Sequence, residues 1–314
     1  MKIFHDHVPP GALGRPAAVT IGAYDGVHRG HHAVLRLVHD LAAARDLACV
    51  VVTFDRHPAE IVRPESAPKL LTTLDQKLEL LADTGLADAC LVIQFDDRRS
   101  KETAPEFVHE VLADSLHAKL VVVGADFHFG YRRGGNVALL EGMGADLGFE
   151  VIGLGLVKER PGEAPFSSTR VRELLAAGDV EQAANVLGRH HEVRGIVEPG
   201  DRRGRELGFP TANVAVPERC CLPADGVYAG TLVDAAAVER PAAISLGRRP
   251  TFYEDHGLLL LEAHVLDFDG DLYRQAVMVR FHHHIRDQVR FESRGALVAQ
   301  MGADVAACRE RFAT

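Results

Sequence analysis

Residues 17–157 alternate near-continuous apolar runs with helical patterns, and this constrains the fold more than any other feature. Ala17–Ile21, Ala48–Phe54, Ala89–Ile93 and Leu120–Gly124 are each apolar at nearly every position. A strand that hides one face alternates apolar and polar residues. A strand apolar throughout is buried on both faces, as in a parallel sheet between helices. Phe149–Leu154 reads as a further strand. His32–Leu47 places Leu35, Val38 and Leu41 on one helical face. Asp75–Leu81 and Pro105–Ser115 also read as helices, with Pro105 suited to a first turn. The expected architecture is an α/β doubly wound parallel sheet, which binds ligands beyond the carboxyl ends of its strands.

Gly22-Ala23-Tyr24-Asp25-Gly26-Val27-His28-Arg29-Gly30-His31 lies at such an end, and so does Gly124-Ala125-Asp126-Phe127. His28 and His31 fall at the turn into a helix, whose N-terminus offers N–H groups to phosphate. Two imidazoles there can donate to a phosphate on which charge develops. Taken alone, two of 17 histidines read equally well as surface residues. The strand, the glycines and Asp25 favour a nucleotide site. Ser167 or Ser168 can cap the helix that follows, and with Thr169, Arg170 and Arg172 would form an anion clamp. The plainer alternative is a cap without a ligand.

After residue 187 the pattern changes to short strands and turns: Val193–Val197, Gly226–Val233, Ala242–Leu246, Leu258–Leu266 and Ala276–Phe281. This spacing suggests a small antiparallel β-barrel, closed by a helix over Arg294–Arg311. Thr211 and Asn213 alternate with Ala212 and so share a face. Their oxygens suit Mg²⁺ with nucleotide phosphates completing its shell. Glu262 lies in an apolar run. It could take a proton from a hydroxyl, although spacing alone favours a solvent-facing strand residue. His282-His283-His284 cannot converge on one ion from a strand and reads as structural. Asp96-Asp97 reads as a solvated loop.

A length of 314 residues accommodates two domains, expected as 1–187 and 188–314. The net charge of -9 speaks against a nucleic-acid partner and leaves self-association open. The five cysteines include no Cys-x-x-Cys, and no apolar signal segment or membrane-length run occurs. Both points suggest a reducing cytoplasm.

Gly22–His31, Thr53–Pro58, Gly124–Gly130 and Ser167–Arg172 together resemble the nucleotidylyltransferase superfamily with the His-x-Gly-His signature. More narrowly, they are similar to the FAD synthetase module of bacterial bifunctional riboflavin kinase/FAD synthetases. Arg203–Asn213, Asp225–Gly230, Gly247–Phe252, Glu262–Phe268, Asp269–Tyr273 and Ile285–Asp287 resemble the riboflavin kinase signature of the same family. The resemblance implies riboflavin, FMN and ATP as substrates and Mg²⁺ as cofactor. It implies that His28 and His31 act in adenylyl transfer, with Gly22, Asp25, Gly30, Asp126, Ser167, Ser168, Thr169 and Arg170 around the nucleotide. In the kinase half it implies Gly204, Gly208, Pro210, Thr211 and Asn213 at the Mg²⁺–ATP and Glu262 as base. Phe129 and Arg286 would contact flavin.

The chain departs from the family pattern at four positions. Ser245 stands for Asn, Arg274 for Gly, Gln288 for Glu and Asn136 for Asp. The competing readings are an enzyme with one activity, a paralogue acting on a modified flavin, and a flavin-binding sensor or storage protein. Intact His28, His31, Thr211, Asn213 and Glu262 argue against loss of either reaction.

Overall fold

In the computed structural model the chain divides into two compact units, Met1–Ser168 and Thr169–Thr314. The structure describes residues 1–155, 157–158, 162, 164–200, 203–251 and 254–313, with the backbone alone at 203, 205, 248–251 and 254–259. Asp201 and Arg202 of the basic stretch, and Phe252 of the kinase signature, lie outside the described residues.

The first unit contains strands β1 (Lys2–His5), β2 (Ala17–Ile21), β3 (Ala48–Phe54), β4 (Ala89–Ile93) and β5 (Ala118–Gly124), the short hairpin β6 (His128–Phe129) and β7 (Gly135–Asn136), and β8 (Glu150–Leu154). Its α-helices are α1 (Arg29–Ala44), α2 (Ala59–Val62), α3 (Leu74–Asp83), α4 (Asp97–Ser100), α5 (Ala104–Phe107) and α6 (Val137–Leu147), and a π-helical stretch over Val108–Ser115 continues α5. Six strands form a sheet in the order β1-β4-β3-β2-β5-β8, and every pairing is parallel. The chain winds outward from β2 through β3 to β4, then returns to β5 on the other side of β2. The carboxyl ends of β2 and β5 therefore flank the point where the order reverses, where such sheets bind ligands.

Both faces of the sheet are apolar because both are covered. Val19, Val50, Leu91 and Val121 pack on one face with Val108, Leu112 and Leu140. Val51, Cys90 and Val92 pack on the other with Leu35 and Leu81. Burial pushes the Cys49 and Cys90 thiols up to about 12, so neither is a thiolate at neutral pH.

The second unit opens with α7 (Ser168–Ala176, whose first residue closes the first unit) and α8 (Val180–Leu187). It continues through β9 (His191–Glu198), α9 (Arg203–Glu206), β10 (Ala212–Ala215), β11 (Gly226–Val233), β12 (Glu239–Thr251), β13 (Glu254–Val265), β14 (Ala276–Asp287) and α10 (Arg294–Phe312). The strands close into a barrel in the order β10-β13-β12-β11-β14-β9. Alternate residues fill it: Ala212 and Val214, Ile244 and Leu246, Leu261 and Ala263, Val279 and Phe281 are buried. Helix α10 adds Cys308, Val305 and Phe312 to a cluster with Ala229 and Leu266.

The units divide at Ser168/Thr169, whereas the sequence reading put the boundary at 187/188. Helices α7 and α8 belong to the barrel unit because Leu175, Val180, Ala183 and Leu187 are buried there. Helix α1 begins three residues earlier than expected, because His28 caps it. The Asp96-Asp97 pair is not simply a loop: the Asp96 carboxylate accepts from Arg99 N at 2.8 Å and caps α4.

Candidate active sites

The turn after β2 is held in an unusual conformation by buried polar contacts. Tyr24, Gly26 and Val27 have φ of 50°, 82° and 37°, in the left-handed region that costs a non-glycine residue energy. The Tyr24 hydroxyl pairs with Thr20 Oγ1 at 2.8 Å. The Asp25 carboxylate accepts from the backbone N–H of Leu71 and Thr72, each at 3.0 Å. Gly26 N donates to Thr72 Oγ1 at 3.1 Å. Asp25 thus directs its carboxylate at residues 71–72 and shapes the loop. Such over-determined strain is characteristic of functional turns.

His28 and His31 then cap α1 reciprocally. His31 N donates to His28 Nδ1 at 3.4 Å, and His28 N donates to His31 Nδ1 at 3.3 Å. The rings stack at 3.7 Å between centroids, inclined by 19°. A nitrogen that accepts carries no proton, so each neutral ring bears its hydrogen on Nε2. In the neutral rings the reciprocal cap thus assigns the proton to Nε2 at the start of α1. Gly30 sits in a tight spot: a Cβ there would lie 3.0 Å from the His28 ring and 3.1 Å from Phe166 O, so one of them would have to give by a few tenths of an ångström.

Ser168 Oγ donates to Asp25 O at 2.8 Å, tying the last residue of the first unit to the histidine turn. The Arg29 guanidinium lies 4.8 Å from the centre of the Phe166 ring. Ser167 is half-buried, while Thr169 and Arg170 are exposed at the start of the second unit. Asp126 is exposed after β5. Phe129 stacks on Phe127 at 5.3 Å and packs against Phe107 and Gly135. Asn136 caps α6 by accepting from Leu139 N at 2.9 Å, a task Asn and Asp perform equally.

The sequence reading missed Lys77. Its buried ammonium donates to Ala23 O at 3.2 Å, Thr53 Oγ1 at 3.1 Å and Phe54 O at 2.7 Å. It ties the histidine turn to the end of β3. Burial pushes its pKa down to about 8, outweighing the nearby carboxylate of Asp25.

In the barrel, strand register aligns the expected kinase residues in one row. Asn213 pairs with Glu262, Glu262 with Ser245, Ser245 with Val227, and Val227 with Arg286. Ala212, Ala263 and Ile244 alternate inward, so Asn213, Glu262 and Ser245 share the outer face. Thr211 precedes the row on the face of Asn213. A Cβ at Gly204 would lie 3.3 Å from Thr211 Oγ1, and one at Gly200 would collide with the Asn213 amide. Glycines at 200 and 204 thus let the backbone approach both side chains. Gly208 has φ of 86°, and Pro210 O accepts from His264 Nδ1 at 2.8 Å.

Arg286 is engaged within the unit: it forms a two-point ion pair with Asp304 of α10, at 2.8 and 2.6 Å. Two of the departures meet, since Gln288 Nε2 donates to Ser245 Oγ at 3.1 Å. Arg274 has φ of 63°, which explains why glycine suits that position. The three consecutive histidines go to three places. His282 stacks on His190 at 3.7 Å, His283 pairs with Glu181, and His284 lies 3.4 Å from Asp287. Among the described residues no cluster of three or more His, Cys, Asp or Glu could hold a metal ion.

Residues 12–170 match the family model described as FAD synthetase, and residues 187–312 match that described as riboflavin kinase. A bifunctional riboflavin kinase/FMN adenylyltransferase of Pseudomonas fluorescens is 40% identical over 295 residues, covering 94% of this chain and 93% of the relative. One of Escherichia coli strain K12 is 37% identical over 294 residues, covering 94% and 92%. The crystal structure of a Streptococcus pneumoniae protein named a macrolide-efflux protein superposes with a TM-score of 0.85 at 29% identity, covering 98% of this chain and 99% of that one. No helix among the described residues is long and apolar enough to cross a membrane.

Proposed function

The chain belongs to the bifunctional riboflavin kinase/FMN adenylyltransferase family, and from that premise we propose how its residues divide the two reactions. The barrel unit phosphorylates riboflavin to FMN with ATP, and the parallel-sheet unit joins AMP to FMN, releasing pyrophosphate and giving FAD. Matches to both family models support two activities over one.

In adenylyl transfer an FMN phosphate oxygen attacks the α-phosphorus of ATP. His28 and His31 donate through Nε2–H to the oxygens on which charge grows, and the α1 N-terminus adds N–H groups. The reciprocal cap carries this reading, because it fixes both donors before substrate arrives. Gly22, Asp25 and Gly30 shape the turn, and Ser167, Ser168 and Asp126 complete the nucleotide surroundings within the first unit.

In the kinase reaction the riboflavin 5′-hydroxyl oxygen attacks the γ-phosphorus, Glu262 takes its proton and ADP leaves. Thr211 and Asn213 hold the metal-nucleotide, with Gly204, Gly208 and Pro210 shaping the approach, and Arg286 and Phe129 border the flavin sites. The neutral oxygens of Thr211 and Asn213 suit Mg²⁺ and would hold it together with the nucleotide phosphates. When bound, Mg²⁺ supplies positive charge against the phosphates. The free cysteines, four of the five buried, fit a cytoplasmic setting.

The test is product analysis after incubation with riboflavin, ATP and Mg²⁺. The proposal requires FMN and FAD from the parent, FMN alone from a His28→Ala/His31→Ala variant, and neither product from riboflavin with Glu262→Gln. FAD at the parental rate from the double variant overturns the histidine assignment.

A further inference from the structure

Gln288 follows the last residue of β14, yet its side chain crosses β11 and reaches β12. Its Nε2 lies 3.1 Å from Ser245 Oγ, 3.0 Å from Leu246 O and 3.4 Å from Gly226 O. Two of these partners are carbonyl oxygens, so the amide end must face inward as donor. The path is open because residue 247 is glycine; a Cβ there would lie 3.2 Å from Gln288 Nε2. The contact leaves Ser245 Oγ as an acceptor, with its own proton to give. Among the described residues no side chain or backbone oxygen takes that proton. Ser245 is the direct cross-strand partner of Glu262 on the same outer face, and such pairs place Cβ atoms about 4.5–5.5 Å apart.

We propose that Ser245 and Gln288 are a positioning pair for the kinase reaction: Gln288 fixes the Ser245 hydroxyl so that it donates to Glu262 and holds that carboxylate toward the flavin hydroxyl. The idea rests on the assignment of Glu262 as base. Neither residue touches phosphate or metal; both act through Glu262. The pair therefore bears on the rate of phosphoryl transfer to riboflavin rather than on nucleotide binding.

The test is a double-mutant cycle on the full chain, read as the single-turnover rate of riboflavin phosphorylation and the KM for Mg²⁺–ATP. Ser245→Ala is expected to lower the rate about tenfold, the scale of one hydrogen bond, with KM unchanged. Ser245→Thr keeps the hydroxyl and restores the rate. Gln288→Ala lowers the rate similarly, and the double variant is within about twofold of either single one, since both remove the same contact. A purely structural staple at Gln288 instead gives losses that multiply to about a hundredfold. That result, a parental rate for Ser245→Ala, or a loss confined to KM overturns the proposal. Glu262→Gln separates the two ideas. If it is inactive while the Ser245 and Gln288 variants are unimpaired, the pair fails and the base stands. If it is fully active, the base assignment fails, and the pair with it.

Discussion

His28 and His31 each accept the other's backbone N–H through Nδ1, at 3.4 and 3.3 Å, so one pair of hydrogen bonds both starts a helix and sets two tautomers. The two roles are separable. His28→Asn retains a cap acceptor but loses the Nε2 donor. It is expected to keep the thermal midpoint within a few degrees while FAD formation falls roughly 10²-fold, the scale of one preorganised donor. His28→Ala should lose the same activity and about 1 kcal/mol of stability besides. Equal adenylylation by parent and His28→Asn would refute the donor role.

Gly30 faces the His28 ring and Phe166 O at distances where a methyl group fits only if the ring gives way. Gly30→Ala should displace the ring and cost about 1–3 kcal/mol by overpacking. FAD synthesis from supplied FMN should drop at least tenfold while riboflavin phosphorylation continues. Adenylylation at the parental rate would show that the ring has freedom to move.

Lys77 gives the first unit a distinctive pH response. Its folded pKa, about 8, lies below the ordinary 10.5. Between these values the unfolded chain binds more protons, so the Lys77 contribution to stability rises with pH across that window. Below about 8 the group is charged in both states and its burial penalty is fully present. The midpoint difference between parent and Lys77→Met should shift in favour of the parent from pH 7.5 to pH 10. A pH-independent difference would mean that burial does not depress the ammonium.

Arg274 occupies the left-handed region at φ 63°. Arg274→Gly should stabilise the barrel unit by up to about 1 kcal/mol, less the entropy that glycine returns to the unfolded chain. Chemical denaturation followed by barrel-specific signals measures it; a destabilised variant would show that the Arg274 side chain contributes more than its backbone costs.

The position of α8 predicts where the chain can be cut. Val180, Ala183 and Leu187 are buried, and Ala224 N donates to Leu175 O at 2.8 Å, all within the second unit. A fragment of residues 169–314 should be more stable than one of residues 188–314, by several kcal/mol for the buried side chains retained. Equal stability of the two would make α7 and α8 dispensable to the barrel.

The sheet was legible because residues buried on two faces leave unbroken apolar runs: β3 and β4 have the expected bounds, and β5 begins only two residues early. Helix α6 was missed since Val137–Leu147 is apolar nearly all round and carries two glycines, leaving no stripe of helical period. Gly144 is there because a Cβ would meet Phe149 O. Helix α8 did carry its signals, with Asp179 accepting from Gln182 N at one end and Gly188 in the left-handed region at the other. The histidine motif was readable from spacing, but the reciprocal cap needed coordinates. Lys77 was hidden in principle: a lysine in an amphipathic helix reads as solvated, and only the arrival of Ala23 and Phe54 from distant segments buries it.

Closure of the barrel has a kinetic consequence. Strand β9 opens the barrel and β14 completes it, and the two pair over Ala276–Phe281 and His191–Ile196. That seam joins the segments farthest apart in the barrel's sequence, so its loop entropy is met before its hydrogen bonds form. Until then the edges of β9 and β14 are open templates for another chain. Refolding at high protein concentration should therefore lose molecules at this step, and the yield of kinase should fall with concentration more steeply than its folded stability would suggest.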